Sequence, residues 1–445
     1  MANTISRKTD QTLLNGLFAT LGISMILPEY IAPFMLFGLY IYFKKHFTKT
    51  NRKALMGEVG KIFFAYMCYM FVSFIWSDTP ILSALIALLW MGCFLGYCLV
   101  GNTLHTEAKL KQAIMAVNIS AGVIGLIAII EFVTYNLTKH TDWFNFAFPN
   151  PFYYNINDFV FDLIPVEIVN KKYSSRASAT FDNPLILATY LVFVAPFGAF
   201  GAVYLNNKKE KIISALCFVM SIGGIIATAS RAAYVAIAVS LVIMLISSKK
   251  LFKKLLPFAA VIAVAVPVGL YLRYANTSLM NFSNSTNNRL KIWTYCFDMF
   301  KNNPIIGLGA GTDNVHTLLR DTYGIDRTHA HNLFLQMLVE GGVIGGLLMI
   351  AVIVVAAKNL FKLYKVSNKQ YSHYAVLYAS SIAGVFVMSM FEFTLQSPKE
   401  LMTMFFVLGF SEATLRIAEN KVQLADDEPL AYKIEEETNA ELVNK

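Results

Sequence analysis

Residues 211–247 read K-I-I-S-A-L-C-F-V-M-S-I-G-G-I-I-A-T-A-S-R-A-A-Y-V-A-I-A-V-S-L-V-I-M-L-I-S, two apolar runs with almost no loop between them. A helix needs about 20 mostly apolar residues to cross the hydrocarbon core of a bilayer. The runs at 211–228 and 231–247 therefore predict two membrane-spanning helices joined by a tight turn. Arg231 follows that turn directly, which places a charged side chain at the membrane border.

Apolar runs of similar length recur in both directions from this hairpin. The chain is 56% hydrophobic and only 15% charged, with a mean hydropathy of +0.53, which is too apolar for an ordinary soluble domain. We predict an all-α polytopic integral membrane protein with about twelve transmembrane helices, the first an anchor rather than a cleaved signal peptide. The predicted spans lie near 11–27, 30–47, 60–77, 80–100, 112–136, 184–205, 211–228, 231–247, 253–272, 341–363, 372–395 and 399–417.

The distribution of basic residues predicts the orientation. With both termini in the cytoplasm, 25 of the 37 lysines and arginines fall on the cytoplasmic side, as the positive-inside rule requires. The net charge of +9 then follows from topology, and we expect no nucleic-acid partner. Six of the 12 basic residues outside are arginines, whose planar fork suits phosphate oxygens. They face either an anionic lipid-linked substrate, which we favour, or lipid headgroups and neighbouring acids.

Two outer loops and one tail interrupt the spans. Residues 1–417 form a single membrane domain, whose loops at about 137–183 and 273–340 are predicted to build the active site. The second loop is a large outer helical segment between spans 9 and 10. Residues 418–445 carry eight acids and predict a disordered cytoplasmic tail. The chain has no phosphate loop, no D-x-D pair and no Cys/His zinc spacing, so we expect neither a cofactor nor a nucleotide-activated donor.

Two arginines are predicted to begin helices on the outer side. Ser230 can cap the helix that starts at Arg231, and the exposed N–H groups there favour an anion. Arg289 follows Asn287 and Asn288, which we interpret as N-caps of an amphipathic helix in the outer interface. Each arginine could instead have a purely structural role: Arg231 could bind lipid headgroups, and Arg289 could only cap its helix.

The run H-A-H-N-L-F-L-Q-M-L-V-E-G-G-V-I-G, residues 329–345, concentrates titratable groups beside a membrane border. A histidine on a short helix ending near Gly342 can act as a general base, and we favour His331. A structural histidine is one alternative. A metal held by His329 and His331, with a third ligand from Asp313, His316 or Asp326, is a weaker one. The preceding G-L-G-A-G, residues 307–311, is interpreted as a flexible link.

Four motifs in this order resemble the bacterial O-antigen ligase and polymerase superfamily of membrane glycosyltransferases. The ligase branch carries H-N, nine residues and G-x-x-G; the superfamily also carries R-x-S-G-T-F-x-x-P, S-R-G and R-x-x-x-W followed by a proline and G-x-G. The matching residues here are Arg176 to Pro184; Ser230 and Arg231; Arg289, Trp293, Pro304, Gly307 and Gly309; and His331, Asn332, Gly342 and Gly345. Ala232 replaces the glycine of S-R-G, and alanine still permits close packing.

The resemblance implies a reaction on the outer face of the bacterial plasma membrane. Arg231 and Arg289, with Arg176, would bind the diphosphate of an undecaprenyl-diphosphate-linked glycan. His331 would deprotonate the hydroxyl of a glycan or glycolipid acceptor, which attacks with inversion and without a metal. The residues expected to support the site are Ser230, Trp293, His329, Asn332, Glu340, Gly342 and Gly345. A polysaccharide polymerase using the same site and a transporter of the same lipid remain the alternatives.

Overall fold

The computed structural model describes residues 2–27, 31–44, 56–138, 176–253, 256, 279–395 and 397–419. The part of the chain it describes is helical and contains no strand. The helices are α1 (Ala2–Ile26), α2 (Ile31–Lys44), α3 (Glu58–Val72, continued by a 3-10 turn over Ser73–Ile75), α4 (Pro80–Thr103), α5 (Glu107–Thr138), α6 (Pro184–Tyr204), α7 (Lys208–Ala227), α8 (Arg231–Ser247), α9 (Leu279–Asn302), α10 (Thr312–Tyr323), α11 (Leu333–Lys365), α12 (Lys369–Ser389) and α13 (Pro398–Glu419).

Eight of the described helices are long and apolar enough to cross a membrane, namely α3, α4, α5, α6, α7, α11, α12 and α13. Shorter apolar helices cover Gln11–Ile26, Ile31–Tyr42 and Arg231–Ser247, where three further spans were predicted. The predicted span at 253–272 and the predicted tail lie almost wholly outside the described residues, as does most of the loop at 137–183. The polytopic helical fold is confirmed, whereas the count of twelve spans stays a prediction.

Several of the helices begin at a polar side chain that binds free N–H groups of the first turn. Asn183 accepts from the N–H groups of Leu185 and Ile186 at the start of α6, and Ser230 accepts from Ala233 at the start of α8. In lipid an unpaired backbone group costs several kcal/mol, about as much as the whole stability margin of a small domain. These caps therefore fix where the turns between adjacent spans lie.

Helix α6 is the centre of the bundle. In its most apolar window 94% of the residues are buried, and it packs against α5, α7, α8 and α12. Small residues set the helix spacing around it: a Cβ on Gly224 of α7 would lie 2.9 Å from the Cα of Gly125 in α5. Lipid tails are as apolar as leucine, so such close packing, rather than hydrophobic burial, holds neighbouring spans together.

One end of the bundle carries a cover formed by residues 304–323. The main-chain N–H of Ala310 donates to Ser73 Oγ at 2.8 Å, and its carbonyl accepts from Ser83 Oγ at 2.6 Å. Helices α9 and α10 add a second small core that includes Ile292, Cys296, Met299, Val315 and Leu319. This cover and the ends of α8, α11 and α12 surround the candidate site.

Candidate functional site

Helix α11 is broken at Gly342, the first feature that shapes the site. Gly342 has φ 59° and ψ −160°, so the hydrogen-bond ladder of the helix is interrupted there. The segment 304–309 supplies the missing partners: Leu308 and Gly309 donate N–H groups to the carbonyls of Val339 and Glu340, both at 2.9 Å. In return, the carbonyls of Pro304 and Ile305 accept from Val343 and Ile344 at 2.8 and 3.3 Å. The cover therefore pairs main-chain groups on both sides of the break, and the Tyr69 hydroxyl donates to the carbonyl of Gly341 at 2.8 Å.

Two glycines make this exchange possible. A Cβ on Gly307 would lie 2.4 Å from the carbonyl oxygen of Glu340, and one on Gly342 would lie 2.3 Å from that of Ile305. The interpretation of 307–311 as a flexible link is wrong, because its backbone is hydrogen-bonded to α11. The predicted break is confined to Gly342. Gly345 lies inside the helix that follows, where an added Cβ would make an ordinary 3.4 Å contact with Tyr69.

The two histidines lie on a short segment ahead of α11. Asn332 caps that helix by accepting from the N–H of Leu335. His331 therefore precedes the helix, and the prediction that it lies on the helix is wrong. Ala330, between the histidines, has both main-chain groups bound. Its N–H donates to Gln336 Oε1 at 2.8 Å, and its carbonyl accepts from Trp293 Nε1 at 3.0 Å.

Glu340 orients this arrangement from inside α11. Its carboxylate is buried and accepts from Gln336 Nε2 at 2.6 Å, so the other end of the Gln336 amide is free to accept from Ala330. Trp293 and Glu340 thus both reach the histidine segment, one directly and one through Gln336. Their roles in a reaction stay predictions.

Glu392 is the site residue that the sequence analysis missed. It lies in the turn between α12 and α13, and the predicted span 372–395 had included it, although α12 ends at Ser389. The His331 Nδ1 atom lies 3.1 Å and 3.2 Å from its two carboxylate oxygens, and His329 Nε2 lies 3.5 Å from Oε1. A carboxylate in an apolar run marks a functional position by default. That signal was present in F-E-F at 391–393.

These contacts assign the ring protons. His329 Nδ1 accepts from the main-chain N–H of His331 at 3.2 Å, so the proton of a neutral His329 is on Nε2, toward Glu392. An ionised Glu392 accepts only, so His331 carries its proton on Nδ1. The Nε2 atom of His331 is then the basic nitrogen, as in a histidine that a carboxylate orients for catalysis.

The charges in the site agree with these proton positions. Burial lowers the pKa of His329 to about 4, with the positive charges of His331, Arg289 and Arg327 acting in the same direction and Glu392 opposing them. Burial alone would raise the pKa of the Glu392 carboxyl. The hydrogen bond from His331 and the nearby positive charges outweigh that effect and lower it. At neutral pH the site therefore holds a neutral His329 and an ionised Glu392.

Arg289 lies within α9, next to this cluster. Because α9 begins at Leu279, Asn287 and Asn288 are inside the helix and are not its N-caps, and Arg289 gains nothing from a helix N-terminus. The amphipathic helix itself was predicted correctly. Burial lowers the pKa of Arg289, the charge of Glu392 raises it and the charge of Arg231 lowers it further. Arg289 thus interacts with both the acid and the second arginine.

Arg231 and Arg176 meet at the turn between α7 and α8. Ser230 caps α8 as predicted, with its Oγ 3.4 Å from the N–H of Ala233, and Arg231 is the first helical residue. Arg176 Nε donates to the carbonyl of Thr228 at 2.9 Å. The structure thus brings Arg176 to the turn that precedes Arg231.

Backbone strain gathers in the same region. Among the described residues, those other than glycine with positive φ are Ala179 (47°), Ala229 (48°) and His331 (49°). Each lies within a few residues of a predicted site residue, and His331 is itself the predicted base. Left-handed conformations cost about 1–3 kcal/mol for such residues and cluster at functional sites.

Three side chains in the site could hold a divalent cation. The ligand atoms of His329, His331 and Glu392 lie within 4.8 Å of one another, a set that suits zinc. Glu392 is the third ligand in this arrangement, and none of the three residues expected from the sequence belongs to it. His316 instead pairs with the exposed Asp326 at 2.9 Å. The positive charges of Arg289 and Arg327 near His329 oppose a bound cation.

Comparison with known families agrees with this geometry. Residues 215–350 match the family model described as O-antigen ligase, a stretch that contains Arg231, Arg289, His329 and His331. The match over these residues confirms the resemblance drawn from the motifs and supports the O-antigen ligase superfamily. A membrane glycan ligase or polymerase is the kind of function this supports. No curated protein matches the chain.

Proposed function

We propose that the protein is a membrane glycosyltransferase of the ligase type. It transfers a glycan from undecaprenyl diphosphate to an acceptor hydroxyl on the outer face of the bacterial plasma membrane. The observation that carries the proposal is the pairing of His331 with the buried Glu392, beside Arg289. A base oriented by a carboxylate and a set of arginines are the two parts that this transfer needs.

The arginines would bind the donor. Arg231 and Arg289 are close enough for their charges to interact, and Arg176 is fastened to the turn before Arg231. Guanidinium groups bind phosphate oxygens through paired, charge-assisted hydrogen bonds. Their positive charge would also stabilise the negative charge that develops on the diphosphate as it leaves.

The histidine would activate the acceptor. His331 Nε2 takes the proton of the acceptor hydroxyl as its oxygen attacks the anomeric carbon from the side opposite the diphosphate. The bond from that carbon to the diphosphate oxygen breaks, so the configuration inverts. Glu392, at 3.1 Å from Nδ1, stabilises the imidazolium that forms. The reaction is proposed to need no metal, since the arginines carry the leaving-group charge.

Ligation is favoured over polymerisation on two grounds. Residues 331–345 carry H-N, nine residues and G-x-x-G, and the matching family model is described as an O-antigen ligase. A ligase passes the glycan once to a lipid or glycolipid, whereas a polymerase passes it to another lipid-linked repeat. The two differ in their products, so one experiment distinguishes them.

The test uses purified protein with undecaprenyl-diphosphate glycan and candidate acceptors, including lipid A core and a teichoic-acid-type glycolipid. A single transfer product supports the ligase, and a ladder of lengths would establish the polymerase instead. His331→Ala is expected to lower kcat by about 10²–10⁴-fold, the usual contribution of a general base. His316→Ala, which removes a half-buried histidine paired with the exposed Asp326, is the matched control and should keep full activity.

The proposed binding of the donor diphosphate by arginines is tested with Arg231→Lys. Lysine keeps the charge but loses the planar fork, so we expect the donor KM to rise by about tenfold or more. Full activity of Arg231→Lys would argue against paired hydrogen bonds to phosphate. Movement of labelled lipid across vesicles without any glycosidic product would refute the transferase and identify a transporter.

A further inference from the structure

We propose that Glu131 and Lys399 are positioning residues that hold the loop 176–183, and with it Arg176, in place for the donor. This inference rests on the proposed function, in which Arg176 contributes to binding the diphosphate. Neither residue belongs to a motif identified in the sequence. Both lie outside the residues that match the ligase family.

Glu131 holds the loop from α5. Its side chain is buried, and its Oε2 accepts from the main-chain N–H groups of Ser178 at 3.0 Å and Ala179 at 2.6 Å. Ala179 itself has φ 47°. The carboxylate thus binds the N–H of a residue in a left-handed conformation that alanine otherwise avoids.

Lys399 holds the same loop from α13. It is wholly buried, and its Nζ donates to the carbonyl of Thr180 at 2.6 Å and to that of Met25 at 3.2 Å. The ammonium also lies 4.6 Å from the ring centre of Phe181. The loop thus has a buried acid on its N–H groups and a buried base on its next carbonyl.

These two anchors determine where Arg176 lies. Directly before the anchored residues, Ala177 donates its N–H to the carbonyl of Ala227 at 3.0 Å, and Arg176 donates to Thr228. Directly after them, Asn183 caps α6. The loop is thus held before, at and after the two anchors, which keeps the guanidinium of Arg176 at the turn before Arg231.

Burying a charged side chain costs several kcal/mol of desolvation free energy, more than is needed to hold a loop that contributes only packing. A glutamine at 131 keeps an oxygen that can accept from these N–H groups but loses the negative charge that strengthens both hydrogen bonds, and neutral side chains would suffice for packing. Two opposite charges, reaching one loop from two helices, fit a loop whose position matters beyond packing. Their loss should loosen the loop and weaken donor binding while leaving the acceptor chemistry at His331 largely intact.

The experiment measures Glu131→Gln, Arg176→Ala and the double variant in the transferase assay. We expect Glu131→Gln to raise the donor KM by about tenfold and to change kcat by less than about threefold. The double variant should be no worse than Arg176→Ala, because both act through the same side chain. Effects that multiply in the double variant would overturn the proposal.

Hydrogen exchange gives a readout that does not depend on activity. The amides of residues 177–181 should exchange faster in Glu131→Gln than in the unaltered protein, and the donor KM should rise in parallel. Glu412→Gln is the matched control, because Glu412 is a buried acid that accepts from the N–H of Val59 at the opposite end of the bundle. A comparable rise of the donor KM in Glu412→Gln would indicate general destabilisation and refute positioning.

Lys399→Gln provides the same test from the other side of the loop if Glu131→Gln does not fold. An unchanged donor KM in Arg176→Ala would overturn this inference alone, provided that His331→Ala still lowers kcat by about 10²–10⁴-fold. Full transfer by His331→Ala would instead refute the proposed function. The two failures are therefore distinguishable.

Discussion

Replacing Gly342 by alanine tests the backbone exchange that shapes the site. At φ 59° and ψ −160° the residue lies in a region open almost only to glycine, and an alanine there costs about 1–3 kcal/mol. Its Cβ would lie 2.3 Å from the carbonyl oxygen of Ile305 and 2.7 Å from the nitrogen of Gly307. Both are backbone atoms that cannot rotate away, so overpacking adds about 1–3 kcal/mol.

The summed cost for Gly342→Ala is about 2–6 kcal/mol. At about 2 °C per kcal/mol for a large chain, the Tm in detergent should fall by about 4–12 °C. Transfer activity should fall as well, because the hydrogen bonds of Leu308 and Gly309 to α11 are displaced. The measurement is thermal unfolding followed by tryptophan fluorescence, together with the transferase assay below the Tm of the variant.

The neighbouring Gly341 provides the matched control. It keeps helical geometry, and a Cβ there would meet Met70 at 3.4 Å and Tyr69 at 3.6 Å, both ordinary contacts with side chains. Alanine favours a helix over glycine by up to about 1 kcal/mol, so Gly341→Ala should be neutral or stabilising. Equal Tm values for the two variants would refute the close backbone contact.

Three further predictions concern the histidine cluster. In the transferase assay, Glu392→Gln should lower kcat by about 10²–10⁴-fold and leave the donor KM unchanged, because the amide cannot stabilise the imidazolium of His331. An unchanged kcat would contradict the assignment of the His331 proton to Nδ1. His329 is protonated below about pH 6.5 in the unfolded chain but only below about pH 4 in the folded protein. The free energy of unfolding should therefore fall by up to about 3 kcal/mol as the pH drops from about 6.5 to about 4. Tm measured against pH should show this fall, and His329→Gln should reduce it. Zinc should inhibit transfer by occupying His331, whereas a chelator should leave activity unchanged; loss of activity in chelator would overturn the metal-free mechanism.

The helices could be predicted because few backbone conformations are possible inside a bilayer. Backbone groups must be paired within each span, so apolar runs such as 184–205 and 211–228 coincide with helices. The cap at Ser230 was also predictable, since it depends on neighbours in sequence. The caps at Asn287 and Asn288 were not, because the helix begins eight residues earlier and overrides the local preference of asparagine.

The parts of the site that depend on distant residues were missed. Glu392 was hidden because hydropathy carries no signal of where α12 stops, and the apolar run continues past Ser389. Gly307 and Gly342 are in contact although they are 35 residues apart in the sequence, and nothing in that separation predicts that their backbones lie close together. His331 and Arg231 were found because each lies beside an abrupt change from polar to apolar sequence.

The position of Glu392 between the last two described helices determines when the site is completed during synthesis and membrane insertion. The histidines, Arg231 and Arg289 precede it in the chain, so a ribosome finishes them first. During synthesis the partial bundle therefore holds Arg231, Arg289 and the two histidines before Glu392 is made. Insertion of α12 and α13 is the step that completes the site. Under the proposed function, a chain truncated before residue 392 would lack both the acid that orients His331 and Lys399, which holds the loop of Arg176, so it should bind donor weakly and transfer no glycan.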